Sequence, residues 1–347
     1  MSTVILKNLY RNGNPVKQMF RNGVKIYETL EYFIFSVDTD TIAFEMTGGS
    51  ETINITCSDR WTIEAPDWIT VSTSSGYGNA SVVVSADSTE GIQEGEIIIT
   101  CEEKTHTITV AQGGYKYMPL TFEITGDGYI NYKYRGSASV AKTIEYKLNN
   151  SGWELITPTS SGVRINVSVG DKVQFRGDNE TYGDANSTAN FNEFSGTTCQ
   201  FIVYGNIMSL IDSTDFANLT VLTNARNFRA LFFACSGLTS AENLILPATT
   251  LTERCYSSLF ERCSNLTTAP ELPATTLVNY CYNNLFLYCY SINHIRCLAT
   301  NISASRCTEN WVYGGVPSTG TFVTPSTTNW STGVSGIPSG WTRVNSD

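Results

Sequence analysis

The sequence is poor in charged residues, especially basic ones, and has no long apolar run. Only 16% of its 347 residues are charged, and 22 Lys and Arg stand against 32 Asp and Glu, a formal net charge of -10. A field of this sign repels phosphate backbones and anionic lipid headgroups, so nucleic acid is not an expected partner. No stretch approaches the roughly 20 consecutive apolar residues that cross a bilayer, so no membrane insertion is expected. The N-terminal text, MSTVILKNLYRNG, lacks the apolar region of a secretory signal, and export by that route is not expected.

Residues for catalysis are also scarce. The two histidines, His106 and His294, are far apart in sequence, and neither stands beside a Ser or Cys motif of nucleophilic catalysis. The chain has no phosphate-binding loop, no dinucleotide fingerprint, no HExxH motif and no CxxC pair. Two carboxylates of the glycoside-hydrolase kind can lie far apart along a chain, but no segment resembles a hydrolase. We therefore predict no enzymatic activity, no catalytic residue, no cofactor and no metal.

Short alternating apolar segments and turn residues dominate what is present. Ser, Thr, Asn, Gly and Tyr are plentiful, which is typical of extracellular β-proteins. The length allows two or three separate cores. The sequence thus predicts a mainly β, multidomain protein.

Residues 1–34 contain a small duplication, YRNG at residues 10–13 and FRNG at residues 20–23. Asn-Gly favours hairpins with type I′ turns, so one or two small hairpins are expected. The text VKQMFRNGVKIYE resembles N-terminal segments of phage tail and fibre proteins, which implies docking to other virion proteins. The alternative is a hairpin that packs on the next domain.

Residues 35–114 contain about seven short strands separated by turns, which predicts an immunoglobulin-like β-sandwich. Trp61, the phrase PDWITV at residues 66–71, Gly76 and the final GEIIITCEEKTHTITVAQGG resemble a BACON domain, a Bacteroidetes-associated module found beside carbohydrate-active enzymes. The resemblance implies either carbohydrate binding or a spacer. Trp61 and Trp68 are expected to fill the core, and a platform for sugar rings is the alternative.

Residues 115–204 carry further alternating segments, including LTFEIT, YINYKY and CQFIVYG, and predict a second β-sandwich. Within them, the loop GDNETYGDAN at residues 177–186 places Asp178 and Asp184 among carbonyl oxygens. A Ca²⁺ loop is conceivable, but the spacing does not match an EF-hand, and a solvated turn is expected.

An internal repeat of 26 residues is the clearest feature: LPATTL at residues 246–251 recurs at residues 272–277, and degenerate copies flank both. Such periods predict a leucine-rich-repeat solenoid, here a short α/β one over residues 205–313, whose units must stack. Cys255, Leu259 and Cys263 lie at i, i+4 and i+8, which predicts one face of a short helix. The following phrase, FERCSNL, resembles the BspA-like family of leucine-rich repeats, and LPATTL resembles proteins of gut Bacteroidetes and of their phages.

Most of the cysteines fall in this repeat. These seven of the ten are Cys235, Cys255, Cys263, Cys281, Cys289, Cys297 and Cys307. Two cysteines eight residues apart on one helix would be separated by ~12 Å, beyond the ~7 Å Cα limit for a disulfide. They are predicted to be buried free thiols that act as small hydrophobic residues.

These segments together predict a phage virion structural protein, a head or tail fibre or appendage component that recognises a host-surface glycan or protein. Assembly in the host cytoplasm and a homo-oligomeric state are expected from the resemblance. The candidate ligand-binding residues are Trp311, Tyr313, Trp330 and Trp341, in or near the C-terminal segment 314–347. The alternative for these aromatics is a cap on the solenoid, and the alternative function is a bacterial cell-surface adhesin or glycan-binding protein.

Overall fold

Strands already form near the N-terminus. A computed structural model describes residues 10–11, 14–15, 18–21, 24–28, 34–44, 46–89, 93–149, 151–180, 182–184 and 187–346. Strand β1 (Tyr10–Arg11) pairs antiparallel with β2 (Asn14–Pro15), and β3 (Gln18–Arg21) pairs antiparallel with β4 (Val24–Glu28). The Asn-Gly turns predicted at residues 12–13 and 22–23 lie outside the described residues, as do residues 1–9 and 29–33 of the predicted docking segment.

Two sheets face each other over residues 35–112, here called the first sandwich. Its strands are β5 (Phe35–Val37), β6 (Thr41–Phe44), β7 (Gly49–Cys57), β8 (Arg60–Glu64), β9 (Ile69–Val71), β10 (Ser75–Tyr77), β11 (Ala80–Ala86), β12 (Gln93–Cys101) and β13 (Lys104–Gln112). One sheet has the order β10-β8-β12-β13-β6 and the other β5-β7-β11-β9. All neighbours are antiparallel except β13 and β6. Buried and exposed residues alternate along β7 and β8, so one face of each sheet supplies the core.

Trp61 lies in this core. Its side chain is 2% exposed, and its indole Nε1 donates a hydrogen bond to the Gly78 carbonyl at 2.9 Å. A Cβ at position 76 would overlap the Trp61 ring, which accounts for Gly76. Trp68 is half-buried and packs against the same core. The prediction that Trp61 fills the core is confirmed.

A disulfide that the sequence analysis did not predict joins the two sheets. It links Cys57 at the end of β7 to Cys101 at the end of β12, with Cα atoms 6.9 Å apart. Because β7 and β12 belong to opposite sheets, the bond ties the two layers of the sandwich together.

Residues 120–206 form a second pair of sheets. Its strands are β14 (Leu120–Gly126), β15 (Gly128–Arg135), β16 (Ile144–Leu148), β17 (Glu154–Ile156), β18 (Val163–Val167), β19 (Lys172–Arg176), β20 (Phe191–Glu193) and β21 (Gln200–Asn206). One sheet runs β17-β16-β19-β14-β21 and the smaller one β18-β15-β20. Between them, the ring of Phe122 lies 5.0 Å from Phe175, 4.9 Å from Phe194 and 4.5 Å from Phe201. Phe175 and Phe201 lie in the same sheet as Phe122, whereas Phe194 directly follows β20, so the Phe122–Phe194 contact joins the two sheets.

Beyond residue 206 the larger of these two sheets continues as a parallel ladder. The added strands are β22 (Leu238–Ser240), β23 (Leu244–Ile245), β24 (Thr268–Leu272), β25 (His294–Cys297), β26 (Thr321–Thr324) and β27 (Thr342–Asn345). Strands β21, β22, β24, β25, β26 and β27 pair in that order, every pair parallel, and β23 also pairs with β21. A single hydrophobic core runs from the second sheet pair through the whole ladder, and it is separate from the core of the first sandwich.

The predicted helix in the repeat is wrong. Among the described residues, the only helical elements are short 3₁₀ turns, at Tyr115–Tyr117, Ala138–Val140, Ile207–Leu210 and Phe216–Asn218. The segment 252–263 is instead a row of consecutive turns, and similar turn rows occupy residues 224–235, 278–289 and 304–313. A mainly β architecture is confirmed, but no α-helix contributes to the ladder.

Backbone hydrogen bonding explains why these segments are not helical. In residues 252–263, alternate amides donate to the carbonyl three residues earlier, as Leu259 does to Tyr256 at 3.2 Å. The amides between them donate to the next row, as Phe260 does to Leu285 at 3.1 Å. A helix would satisfy all of these donors within itself, whereas a turn row is satisfied only when the next row lies beside it.

Left-handed residues recur at a four-residue spacing within each row. Arg254, Ser258 and Arg262 have φ of 59°, 58° and 64°, and the next row repeats this pattern. Turns repeated every four residues place side chains on one side at i, i+4 and i+8, as a helix does. The apolar spacing that predicted a helix therefore arises here from the turns.

Candidate ligand-binding surface

Three of the four predicted ligand-binding residues are buried. Trp311, Trp330 and Trp341 belong to the core of the ladder. Each indole Nε1 donates inside the protein, to the Gly336 carbonyl at 2.8 Å, to Thr324 Oγ1 at 3.0 Å and to the Pro317 carbonyl at 2.8 Å respectively. A buried ring whose N–H is already satisfied offers no platform to a ligand, so these three residues are core residues of the ladder.

Tyr313 is the fourth, and it lies on the surface with 47% of its side chain exposed. Its ring meets Tyr288 edge-on at 6.2 Å, and Tyr288 lies 6.2 Å from Tyr290, which is 53% exposed. Gly314 is needed beside them, because a Cβ there would collide with the Tyr288 ring. Three tyrosines, the predicted Tyr313 among them, thus form a cluster.

Arginines cover the tyrosines of neighbouring rows. The guanidinium Cζ of Arg262 lies 5.0 Å from the centroid of Tyr288 in the next row. Tyr280 is covered in the same way by Arg254 at 3.7 Å and by Arg306 at 5.7 Å. Such cation–π contacts stiffen the side chains. The Nε atoms of Arg254, Arg262 and Arg306 lie 3.3, 3.8 and 3.7 Å from Glu253, Glu261 and Glu309, so the other N–H groups of each fork are the ones able to donate.

The surface, here called the turn face, consists of Arg254, Arg262, Tyr280, Tyr288, Tyr290, Arg306 and Tyr313. The stacking of the rows sets the spacing between these side chains, since the Arg254 amide donates to the Asn279 carbonyl and the Tyr280 amide donates to the Ser305 carbonyl. Tyrosine rings supply apolar faces with a polar tip, and arginines supply forked donors, a combination that suits sugar rings or a protein surface. Sequence reasoning missed all members except Tyr313. The signal available was the tyrosine-rich text NYCYNNLFLYCY, which differs from its sister copy at these positions.

The cavity between the first sandwich and the second sheet pair is a weaker candidate. It measures about 500 Å³. Its cations are already paired, Lys147 with Glu51 at 2.9 Å and Arg176 with Glu145 at 2.6 Å. Arg176 also covers the Trp153 ring at 4.2 Å. These contacts make the cavity a polar joint between the two units.

The buried thiols are poor nucleophiles. All eight cysteines outside the disulfide are free and buried. Burial raises the pKa of Cys199 to about 11 and the pKa values of Cys255 and Cys297 to about 12. Cys263 and Cys289 donate their thiols to the carbonyls of Phe232 and Phe260, both at 3.0 Å. The predicted role as buried free thiols is confirmed, and each of these two thiols also bridges two rows.

The remaining candidate groups have structural partners. Asp178 of the predicted loop accepts from the Ser213 amide at 2.9 Å, and Asp184 accepts from Asn190 Nδ2 at 2.7 Å. His106 Nε2 lies 3.0 Å from the Thr39 carbonyl, in the first sandwich, and His294 lies in β25 of the ladder. Within the described part of the loop and the rest of the described chain, no three potential ligands among His, Cys, Asp and Glu come together. Nor, among the described residues, is any helix long and apolar enough to cross a bilayer.

Comparison with known proteins identifies no family for this chain. No protein-family model matches the sequence, and no curated protein matches it. Among solved structures, a Bacteroides ovatus GH5 xyloglucanase in complex with a XXXG heptasaccharide aligns with a TM-score of 0.22 and 18% identity. The alignment spans 23% of this chain and 18% of that chain, an extent that carries no inference about fold or activity.

Proposed function

We propose that the chain is a structural component of a phage virion, a head or tail fibre or appendage protein that recognises a host-surface glycan or protein. The observation that carries the proposal is the turn face. Exposed and half-buried tyrosines and arginines are held at fixed spacing on stacked rows, which suits a rigid recognition surface.

In this proposal the ladder is a leucine-rich-repeat solenoid of the BspA-like kind. Its support is the parallel pairing of β22, β24, β25 and β26, together with ring stacking along the core. Phe232, Phe260 and Phe286 stack at 5.5 and 5.7 Å, and Trp311 follows at 6.4 Å. Units that complete one another in this way form an elongated scaffold, as a fibre component needs.

The first sandwich is proposed to be a BACON domain that acts as a spacer. Trp61 is buried and therefore unavailable to sugar rings, and Trp68 packs against the same core. The N-terminal hairpins would dock to other virion proteins, and symmetric sockets on a virion would make the protein a homo-oligomer. Sedimentation of the purified chain as a monomer would count against that last part.

The virion location is tested on purified particles. We expect the chain among virion proteins by mass spectrometry, and immunogold labelling on a head or tail appendage. Its recovery from bacterial outer-membrane fractions alone would contradict the proposal. One observation favours that second candidate, a bacterial cell-surface adhesin: the Cys57–Cys101 disulfide suits an oxidising, extracellular setting.

Recognition is tested separately with a glycan array and host cells. Tyr288→Ala and Tyr313→Ala are expected to weaken binding at least tenfold, since truncating a central aromatic residue costs about 2 kcal/mol or more. Tyr77→Ala is the matched control, because Tyr77 is an exposed tyrosine of the first sandwich. Equal binding by all three variants and the parent protein would remove the turn face from the proposal.

A further inference from the structure

Two arginines meet over one phenylalanine ring beside the first turn row. Arg135 ends β15, and Arg229 belongs to the row at residues 224–235. Their guanidinium Cζ atoms lie 5.4 and 4.9 Å from the centroid of Phe191. Arg135 also lies 5.2 Å from the centroid of Phe233. The fold thus concentrates positive charge against an apolar wall, in a chain whose net charge is -10.

Glu193 neutralises only part of this positive charge. It is fully buried, and its Oε1 accepts from Arg135 Nε at 3.2 Å and from Nη2 at 3.0 Å. The same oxygen lies 3.5 Å from Lys133 Nζ. Its Oε1 is therefore already shared between two cations, whereas its buried Oε2 has no hydrogen-bond partner and forms no ion pair with Arg229.

Arg229 has no carboxylate within ion-pair distance among the described residues, and its buried Nη1 has no hydrogen-bond partner. Burial lowers the pKa of this guanidinium. Glu261 opposes the shift, whereas the nearby cations Arg254, Arg226 and Arg135 add to it. Arg254 also covers Tyr280, so this cluster adjoins the turn face.

An arginine keeps its proton under these conditions, and a half-buried charge with an unsatisfied donor is costly. A compact anion would remove that cost, because the guanidinium fork matches two oxygens of a carboxylate or sulfate. The phenylalanine rings exclude water from one side and so strengthen the attraction. We propose that Arg229, flanked by Arg135 and Phe191, binds a compact oxyanion, a carboxylate or sulfate group of the kind carried by acidic sugars.

This site is independent of where the chain resides, so it stands whether or not the virion proposal does. The test is thermal unfolding and calorimetric titration of the full chain with sodium sulfate, sodium glucuronate and glucose, against sodium chloride at equal ionic strength. Sulfate or glucuronate is expected to raise the melting temperature in a saturable way, as ligands of the folded state do, and glucose is not. Tighter binding of glucuronate would identify a sugar carboxylate, and response to sulfate alone a sulfate group.

Variants separate the site from general salt effects, since sulfate stabilises many proteins by exclusion. Arg229→Gln is expected to weaken binding at least tenfold and Arg229→Lys to weaken it less, because lysine keeps the charge and loses the fork. Arg164→Gln is the matched control, an arginine that covers Tyr129 at 4.3 Å in the same sheet pair. If Arg229→Gln fails to fold, Arg229→Lys supplies the comparison. An unchanged response in both Arg229 variants, or an equal response to chloride, would overturn the inference.

Discussion

The indole rings of Trp311 and Trp330 stack in parallel, with centroids 5.2 Å apart and planes inclined by 1°. Trp311 also lies 6.4 Å from Phe286, so it joins the ring column of the ladder to the C-terminal segment. Phe322 meets both indoles edge-on, at 5.8 and 5.3 Å. These rings form one packed group within the core of the ladder.

Trp311→Ala is expected to lower the free energy of unfolding by about 3–5 kcal/mol, the cost of removing a large buried aromatic side chain. Urea denaturation followed by circular dichroism measures the change. Tyr313→Ala is the control, since this neighbouring side chain is exposed, and its loss should be below about 1 kcal/mol. Similar losses for the two variants would contradict the core role of Trp311.

Stability is expected to fall in alkaline solution. An unfolded thiol has a pKa of about 8.5, whereas burial raises the pKa values of Cys255 and Cys297 to about 12 and of Cys199 to about 11. Between these values the unfolded chain loses protons that the folded chain retains, so the free energy of unfolding decreases as pH rises from about 8.5 towards 11. Urea denaturation at pH 7, 8, 9 and 10 measures the slope.

Cys255→Ala provides the control for this pH dependence. It removes one titrating thiol, so the slope should become shallower by up to about 1.4 kcal/mol per pH unit where only the unfolded thiol is ionised. A pH-independent free energy of unfolding in the parent protein would show that the thiols are accessible in the folded state.

Removal of the disulfide is expected to affect the first sandwich alone. Cys57 and Cys101 are 44 residues apart, and a cross-link of this length stabilises by about 4 kcal/mol in the chain-entropy treatment. In scanning calorimetry, Cys57→Ala combined with Cys101→Ala should lower the midpoint temperature of one unfolding transition and leave that of the other unchanged, because the two cores are separate. Equal shifts of both transitions would indicate a single cooperative unit.

Reversal of charge at the joint is expected to separate the two units without unfolding them. Lys147 Nζ lies 2.9 and 3.0 Å from the two carboxylate oxygens of Glu51. Glu51→Lys places two cations together and should increase the radius of gyration measured by X-ray scattering. Glu51→Lys combined with Lys147→Glu should restore the compact value. No change in any variant would mean that this ion pair does not hold the joint.

The sequence was sufficient to predict the fold wherever a local pattern is compatible with only one kind of secondary structure. Alternation of period two predicted the strands around Trp61, and burial of that residue followed from its place in the pattern. A spacing of four between apolar residues was ambiguous, because turns at Arg254, Ser258 and Arg262 produce the same periodicity as a helix. The left-handed backbone at these non-glycine residues depends on hydrogen bonds to the next row, which no local signal contains.

The candidate site was harder to predict for the same reason. Tyr288 and Tyr313 are 25 residues apart and meet only because their rows stack. Trp311 and Tyr313 are two residues apart, yet one is buried and the other exposed. Aromatic composition alone could not separate them. The disulfide was likewise hidden, because pairing of Cys57 with Cys101 requires the two sheets to face each other.

The backbone of the turn rows tolerates different side chains at equivalent places. Arg226, Arg254 and Tyr280 share a left-handed conformation and an amide hydrogen bond to the next row, although their side-chain chemistry differs. The shape of the rows is thereby encoded by amides and carbonyls, and the chemistry of their surface by outward groups. The outward groups can therefore change one substitution at a time without refolding the scaffold.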